Sequence, residues 1–139
     1  KAALAEGIVP GGGASLVHLS TLIKVEGSDS LNAGKQLLKN ALDQPFRILL
    51  TNAGLNPEEW LPQVRSGKGL KGVDVNDGTK IVDLKPAGII DPARVTKEAI
   101  QNAASIAGTA MTMGALVVEV PEKESPSPGG MPGGGMMGM

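Results

Sequence analysis

The sequence predicts a mostly helical domain. Of its 139 residues 41% are hydrophobic, yet there is one Trp, one Phe and no Tyr. A core made from Ala, Leu, Ile and Val lacks the large fillers of a β-sandwich and suits closely packed helices. Apolar residues recur at three- and four-residue spacings over most of the chain, the period of a helix with one buried face. Segments with β character are few and short.

In order, Lys1-Ala2-Ala3-Leu4-Ala5-Glu6 has helical composition and runs into Gly7-Ile8-Val9-Pro10-Gly11-Gly12-Gly13. From Ala14 to Val25, Leu16, Leu19, Leu22 and Ile23 define a helix that Gly27 ends. Ser28-Asp29-Ser30 can cap a second helix carrying Leu31, Leu37, Leu38, Ala41, Leu42, Phe46, Leu49 and Leu50. Pro45 should kink or break it, because proline supplies no amide and its ring crowds the preceding turn. Asn52-Ala53-Gly54 closes that helix. Asn56-Pro57-Glu58-Glu59-Trp60 combines a cap, a proline in the first helical position and an acidic first turn, giving a short helix to about Arg65.

Between Ser66 and Gly88 the periodicity lapses. Val73-Asp74-Val75 and Lys80-Ile81-Val82-Asp83 read as a small hairpin turning at Asn76-Asp77-Gly78. Asp91-Pro92 then opens the strongest helix, with Asp91 as cap, Pro92 in the first position, and Val95, Ala99, Ala103, Ile106, Ala110 and Met113 at heptad-like spacing. Ala99, Ala103, Ala104, Ala107 and Gly108 make its faces small, which suits a tightly packed interior position. Leu116-Val117-Val118-Glu119-Val120 reads as a terminal strand that needs a partner from outside this sequence. Residues 1–120 are thus expected to fold and residues 121–139 to be a disordered Gly/Met-rich tail holding four of the six methionines. That tail is either a dispensable end or a pliant apolar surface for varied non-polar partners.

Composition also excludes functions. Lys and Arg number 13 against 14 Asp and Glu, with no basic block and almost no aromatic ring to stack on a base, so nucleic acid is not an expected partner. No apolar run reaches the roughly 18 residues of a membrane crossing. The absence of Cys removes thiol catalysis, thiolate metal sites and disulfides. His18, the only histidine, sits among helix formers and reads as a solvated or hydrogen-bonded position rather than a catalytic base. The chain begins at Lys1, already inside a helical stretch, and reads as a piece of something longer.

Two features carry chemistry. Three consecutive glycines at the mouth of a helix let backbone amides approach a ligand, where the dipole favours a phosphate or ribose oxygen; the same residues also make a plain flexible turn. A carboxylate at Asp91 has more lone pairs than one cap uses, so it can cap its helix and bind hydroxyls together, or serve as a cap alone.

Gly7 to Gly13, Gly88-Ile89-Ile90-Asp91-Pro92-Ala93-Arg94-Val95-Thr96, Gln101-Asn102-Ala103-Ala104-Ser105-Ile106-Ala107-Gly108 and the Gly-Met tail, in this order, resemble the C-terminal part of a group I chaperonin, the GroEL family. The resemblance implies the C-terminal half of an equatorial domain: a helical bundle with a small hairpin and a terminal strand. It implies stacked homo-oligomeric rings that bind ATP, hydrolyse it, and enclose unfolded polypeptides under a co-chaperonin lid, in the cytoplasm or, in a eukaryote, an organelle matrix. By similarity Gly12, with Gly11, approaches the ribose and phosphate, Asp91 accepts from the ribose hydroxyls, and Ile89 packs near the adenine.

One stretch departs from the family pattern. Where the family has Gly-Tyr-Asn-Ala-Ala-Thr beside the adenine, this chain has Gly72-Val73-Asp74-Val75-Asn76-Asp77-Gly78-Thr79. Asp74 stands where an amide-bearing asparagine is expected and cannot donate as that amide does, so either Asn76 substitutes or backbone groups do the reading. Asp74, Val75 and Asn76 are carried over on that footing. The family's Mg2+-binding and water-activating aspartates belong upstream of Lys1, so the chain by itself is expected to be inactive. Two other readings are a degenerate chaperonin paralogue that binds nucleotide or assembles without efficient hydrolysis, and a free-standing helical domain whose glycine loop binds a phosphorylated metabolite.

Overall fold

Helix α1 (Ala2–Glu6) leads into strand β1 (Ile8–Pro10), and the glycine loop then opens α2 (Ala14–Leu22). Next come α3 (Ser30–Leu42), α4 (Gln44–Asn52) and α5 (Pro57–Ser66), followed by β2 (Lys71–Val73), β3 (Ile81–Asp83), β4 (Ile90–Pro92) and α6 (Ala93–Thr112). The computed structural model describes residues 1–67, 71–78 and 80–119. The fold is mostly α, with two small antiparallel strand pairs, as the composition predicts.

The core lies where α2, α4 and α5 meet. Ala14 and Val17 of α2, Phe46 and Leu50 of α4, and Leu61 and Val64 of α5 are buried together with Val73 of β2 and Leu84. Removing Phe46 or Leu50 would cost about 2–5 kcal/mol in lost transfer energy and residual cavity. The helix ends follow the sequence signals. Asp29 caps α3 by accepting from the Asn32 amide at 2.8 Å, and Asn56 caps α5 by accepting from Glu58 at 3.1 Å. Pro45 does break the predicted long helix: α3 ends at Leu42 and α4 begins at Gln44, with Asp43 between them.

Several expectations need correction. The first core helix stops at Leu22 rather than Val25, because Glu26 turns away to bond its amide and carbonyl to the side chain of Asn32. The hairpin forms two residues earlier than predicted on its first side, pairing Lys71 with Asp83 and Val73 with Ile81. Asp74 is already in the turn, where its carboxylate accepts from the Asn76 amide at 3.0 Å and its carbonyl from the Gly78 amide at 2.6 Å. Gly72 cannot be larger, since an added Cβ would lie 2.6 Å from Leu84 Cδ1 and 3.0 Å from Ala14 Cβ.

The expected interior position of the last helix is not seen. Among its 20 residues α6 buries none, and it rests mainly on α1 and β4. Its small face (Ala99, Ala103, Ala104, Ala107) instead borders an apolar groove of about 760 Å³, whose opposite wall is Leu37, Leu38 and Ala41 of α3. Leu116–Glu119 form no strand, since no described strand pairs with them; Leu116 and Val117 are 75% and 93% exposed. Val120 and the expected disordered tail over 121–139 lie outside the described residues. Among the described residues no helix is long and apolar enough to cross a membrane.

Candidate functional site

The site begins with a pairing the sequence did not disclose. β1 and β4 form an antiparallel ladder in which Ile8 faces Pro92, Val9 faces Asp91 and Pro10 faces Ile90. The ladder runs one residue further, with the Gly11 amide donating to the Ile89 carbonyl at 2.9 Å. A Cβ on Gly11 would sit 3.1 Å from the Ile90 nitrogen and 3.2 Å from the Ile89 carbonyl carbon, so any side chain there would push the two backbones apart by a few tenths of an ångström.

Beyond it the chain turns sharply. Gly12 and Gly13 take φ of +64° and +75°, left-handed values that admit glycine freely, and the Ala14 amide returns to the Gly11 carbonyl at 3.2 Å. Gly13 also presses on α4: an added Cβ would lie 2.8 Å from the Phe46 nitrogen. The amides of Gly12, Gly13 and Ser15 have no backbone partner among the described residues, so three donors collect at the positive end of α2. Ser15 Oγ donates back to the Pro10 carbonyl and braces the loop.

Asp91 is exposed on β4 and does not cap α6. The helix starts at Ala93 with Pro92 in the cap position and no side-chain cap bond, because residues 90–92 are held extended by the ladder. Its carboxylate has no hydrogen-bond or ion-pair partner among the described residues. Pro10, Gly13, Ser15 and Asp91 all line the α3–α6 groove. Ile89 is half-buried against the core, its amide donating to Leu84 at 2.9 Å, and its Cγ2 lies 3.8 Å from where a Gly12 Cβ would be.

Gly11, Gly12, Ile89 and Asp91 are thus brought together by one ladder. Asp74, Val75 and Asn76 are not part of that ladder and lie in the loop of the separate β2–β3 hairpin. Val75 packs on the cluster that holds Ala14 and Ile89, whereas Asp74 is engaged with its own turn and Asn76 is exposed. Sequence reasoning included Gly13 in the glycine motif but missed Ser15 as a lining residue, and with it the strand pairing itself. The signal was present: Ile8-Val9 and Ile89-Ile90 are β-branched pairs flanking the two glycine turns. His18 is hydrogen-bonded, its Nε2 lying 3.2 Å from the Lys71 carbonyl, which ties α2 to the hairpin. The described residues offer no group of three His, Asp or Glu side chains able to hold a metal ion.

A model of the TCP-1/cpn60 chaperonin family matches residues 1–121, and the chain belongs to that family. Among solved structures, that of a group III chaperonin in the open state is 28% identical and superposes with a TM-score of 0.74 over 84% of this chain and 25% of its own. An open-state monomer of a group II chaperonin from Methanococcoides burtonii is 29% identical, with a TM-score of 0.67 over 76% of this chain and 28% of its own. The chain therefore spans about a quarter of the length of these relatives.

Proposed function

We propose that this chain supplies the ribose and adenine side of an ATP pocket in an ATP-dependent chaperonin that encloses and refolds unfolded polypeptides. The observation that carries this reading is the ladder joining Gly11 to Ile89, which ties the glycine loop to the strand bearing the unpartnered Asp91 carboxylate, with Gly13, Ser15 and Asp91 lining one groove. Amides at a helix start suit a phosphate or ribose oxygen, and a carboxylate with open lone pairs suits a vicinal diol. At Gly12 an added Cβ would meet nothing nearer than Ile89 Cγ2 at 3.8 Å, so the backbone there is open to a ligand. In this reading Ile89 packs near the base and Val75 supports it from the hairpin.

Magnesium and the group that orients attacking water belong to the rest of the longer polypeptide, so the chain alone binds nucleotide without turning it over. The same reading places the whole protein in stacked rings of identical subunits, of the group I type with a co-chaperonin lid, and in the cytoplasm or an organelle matrix. The test is an ATP titration followed through the backbone amides of the 139-residue chain. Selective movement of Gly11–Gly13 and Asp91 is expected, with the Asp91 response absent for a ribose-free triphosphate; no response to ATP at those positions sinks the reading.

A second reading is favoured by Asp74. Its carboxylate closes its own turn and offers no side-chain donor to a base. A degenerate chaperonin that binds nucleotide loosely or assembles without efficient hydrolysis would have this character. The sequence encoded upstream separates the two: metal-binding and water-orienting aspartates are expected there for the active machine.

A further inference from the structure

One buried polar cluster is left unused by the pocket. Asp43, between α3 and α4, is 2% exposed and holds both neighbours of α4 at once. Ser20 Oγ of α2 lies 3.0 Å from Asp43 Oδ1 and 2.8 Å from the Val17 carbonyl of its own helix, so one hydroxyl proton is shared between the two acceptors, while Asp43 Oδ2 is paired with Arg65 of α5. Ser20 is itself fully buried. A carboxylate so enclosed is tolerated only with its oxygens engaged: removing Arg65 leaves its charge unbalanced in the interior, and removing Ser20 leaves one oxygen short of a donor.

The same helix touches α4 at its other end. Gly13, Val17 and Ser20 fall on one face of α2, two turns from first to last. Val17 is fully buried at the middle of that face. At Gly13 the backbones meet so closely that a Cβ would be 2.8 Å from the Phe46 nitrogen and 2.9 Å from its Cα. α2 is only nine residues long, so it moves as a unit and a slip at Ser20 is felt at Gly13. Backbone packing at Gly13 sets how near the start of the helix lies to α4, and the Ser20–Asp43 contact is a polar tie between α2 and the residue that precedes α4.

We propose that Asp43 is a positioning residue: held by Arg65, it sets the axial register of α2 and with it the location of the glycine loop. The link to nucleotide rests on the reading given above; the link to the loop does not. The test compares the 139-residue chain with Ser20→Ala, Asp43→Asn and, as a core control, Leu61→Ala on α5. Three quantities are read: the Gly12 and Gly13 amide resonances, ATP affinity and urea unfolding.

Ser20→Ala and Asp43→Asn are expected to move both glycine amides and to weaken ATP by about tenfold. Leu61→Ala should lose at least as much stability with those amides in place. Stability loss in the first two variants with the glycine amides unmoved would overturn the proposal. If Asp43→Asn does not fold, Ser20→Ala, which removes one bond and keeps the ion pair, decides alone. Should the amides move while no form of the chain binds ATP, the register proposal stands and the nucleotide reading fails.

Discussion

The backbone amide of Gly11 donates to the carbonyl of Ile89 at 2.9 Å, carrying the β1–β4 pairing past Pro10 and into the turn before α2. The neighbouring glycines meet different constraints, and alanine substitutions should rank accordingly. At Gly13 a methyl group meets Phe46 backbone at 2.8 Å and a φ of +75°, so Gly13→Ala is expected to be the most damaging. Gly11→Ala must push Ile89 and Ile90 by a few tenths of an ångström and comes second. Gly12→Ala meets nothing nearer than 3.8 Å and bears only the left-handed strain, about 1–2 kcal/mol. Urea midpoints measured side by side check the order.

Asp91 should behave as a binding residue without a structural one's signature. Its carboxylate has no partner among the described residues, so Asp91→Ala is expected to leave the thermal midpoint in place. On the nucleotide reading it weakens ATP by roughly 10- to 100-fold, the worth of hydrogen bonds to a charged acceptor. Calorimetric titration beside a melting curve gives both numbers. A falling midpoint would mean that the side chain supports the fold.

At the entry to α3, Asp29 accepts from the Asn32 amide and from Asn32 Nδ2, each at 2.8 Å. Asp29→Ala is therefore expected to cost about 1 kcal/mol or slightly more, the usual loss of a cap plus that of a second bond. Asp29→Ser should recover most of it, since a hydroxyl can still accept from the amide. Denaturant unfolding of the two variants is the measurement.

Arg94 and Glu98 face each other one turn apart on α6, with Nε 2.7 Å from Oε1. The hydrogen bond from Arg94, and then its charge, hold the Glu98 carboxyl below its ordinary range. A lowered carboxyl contributes above its unfolded pKa, and the contribution fades as pH falls through the lowered folded value. Titration of the Glu98 carboxyl carbon by NMR should give a midpoint below that of a free glutamate, moving up in Arg94→Ala and at high salt, as an exposed pair requires.

Much of the fold was legible because the signals were local. Asp29, Asn56-Pro57 and Pro45 act within a turn of their own positions, and the structure places caps and a break at each. What the sequence hid depends on residues far apart. The strand at Ile8–Pro10 exists only through its pairing with Ile90–Pro92, and that pairing is what removes Asp91 from the cap position. Asp74 looked like strand because Val73 and Val75 flank it, but its short side chain closes a turn more readily than it extends. The site split along the same line. Gly11, Gly12, Ile89 and Asp91 were found by motif and are joined by the ladder, while Ser15 emerged only from the groove it lines.

The placement of α6 carries its own expectation. With no buried residue in 20, its amides are protected by helical bonds alone, whereas α4 and α5 are anchored by Phe46, Leu50, Leu61 and Val64. Hydrogen exchange in the 139-residue chain should be fast along α6 and slow in α4 and α5, since few packed contacts mean cheap local opening. Equal protection would require something to cover the groove.

The ladder between Val9 and Asp91 also dictates an order of events. Its two strands are about eighty residues apart, and closing so long an interval is entropically costly until the intervening helices have shortened it. The α2–α5 body can gather from neighbours in the chain, but the glycine turn has no defined shape until the distant strand arrives. Whatever the turn grips can therefore engage only the finished molecule, and its binding would slow unfolding rather than hasten folding.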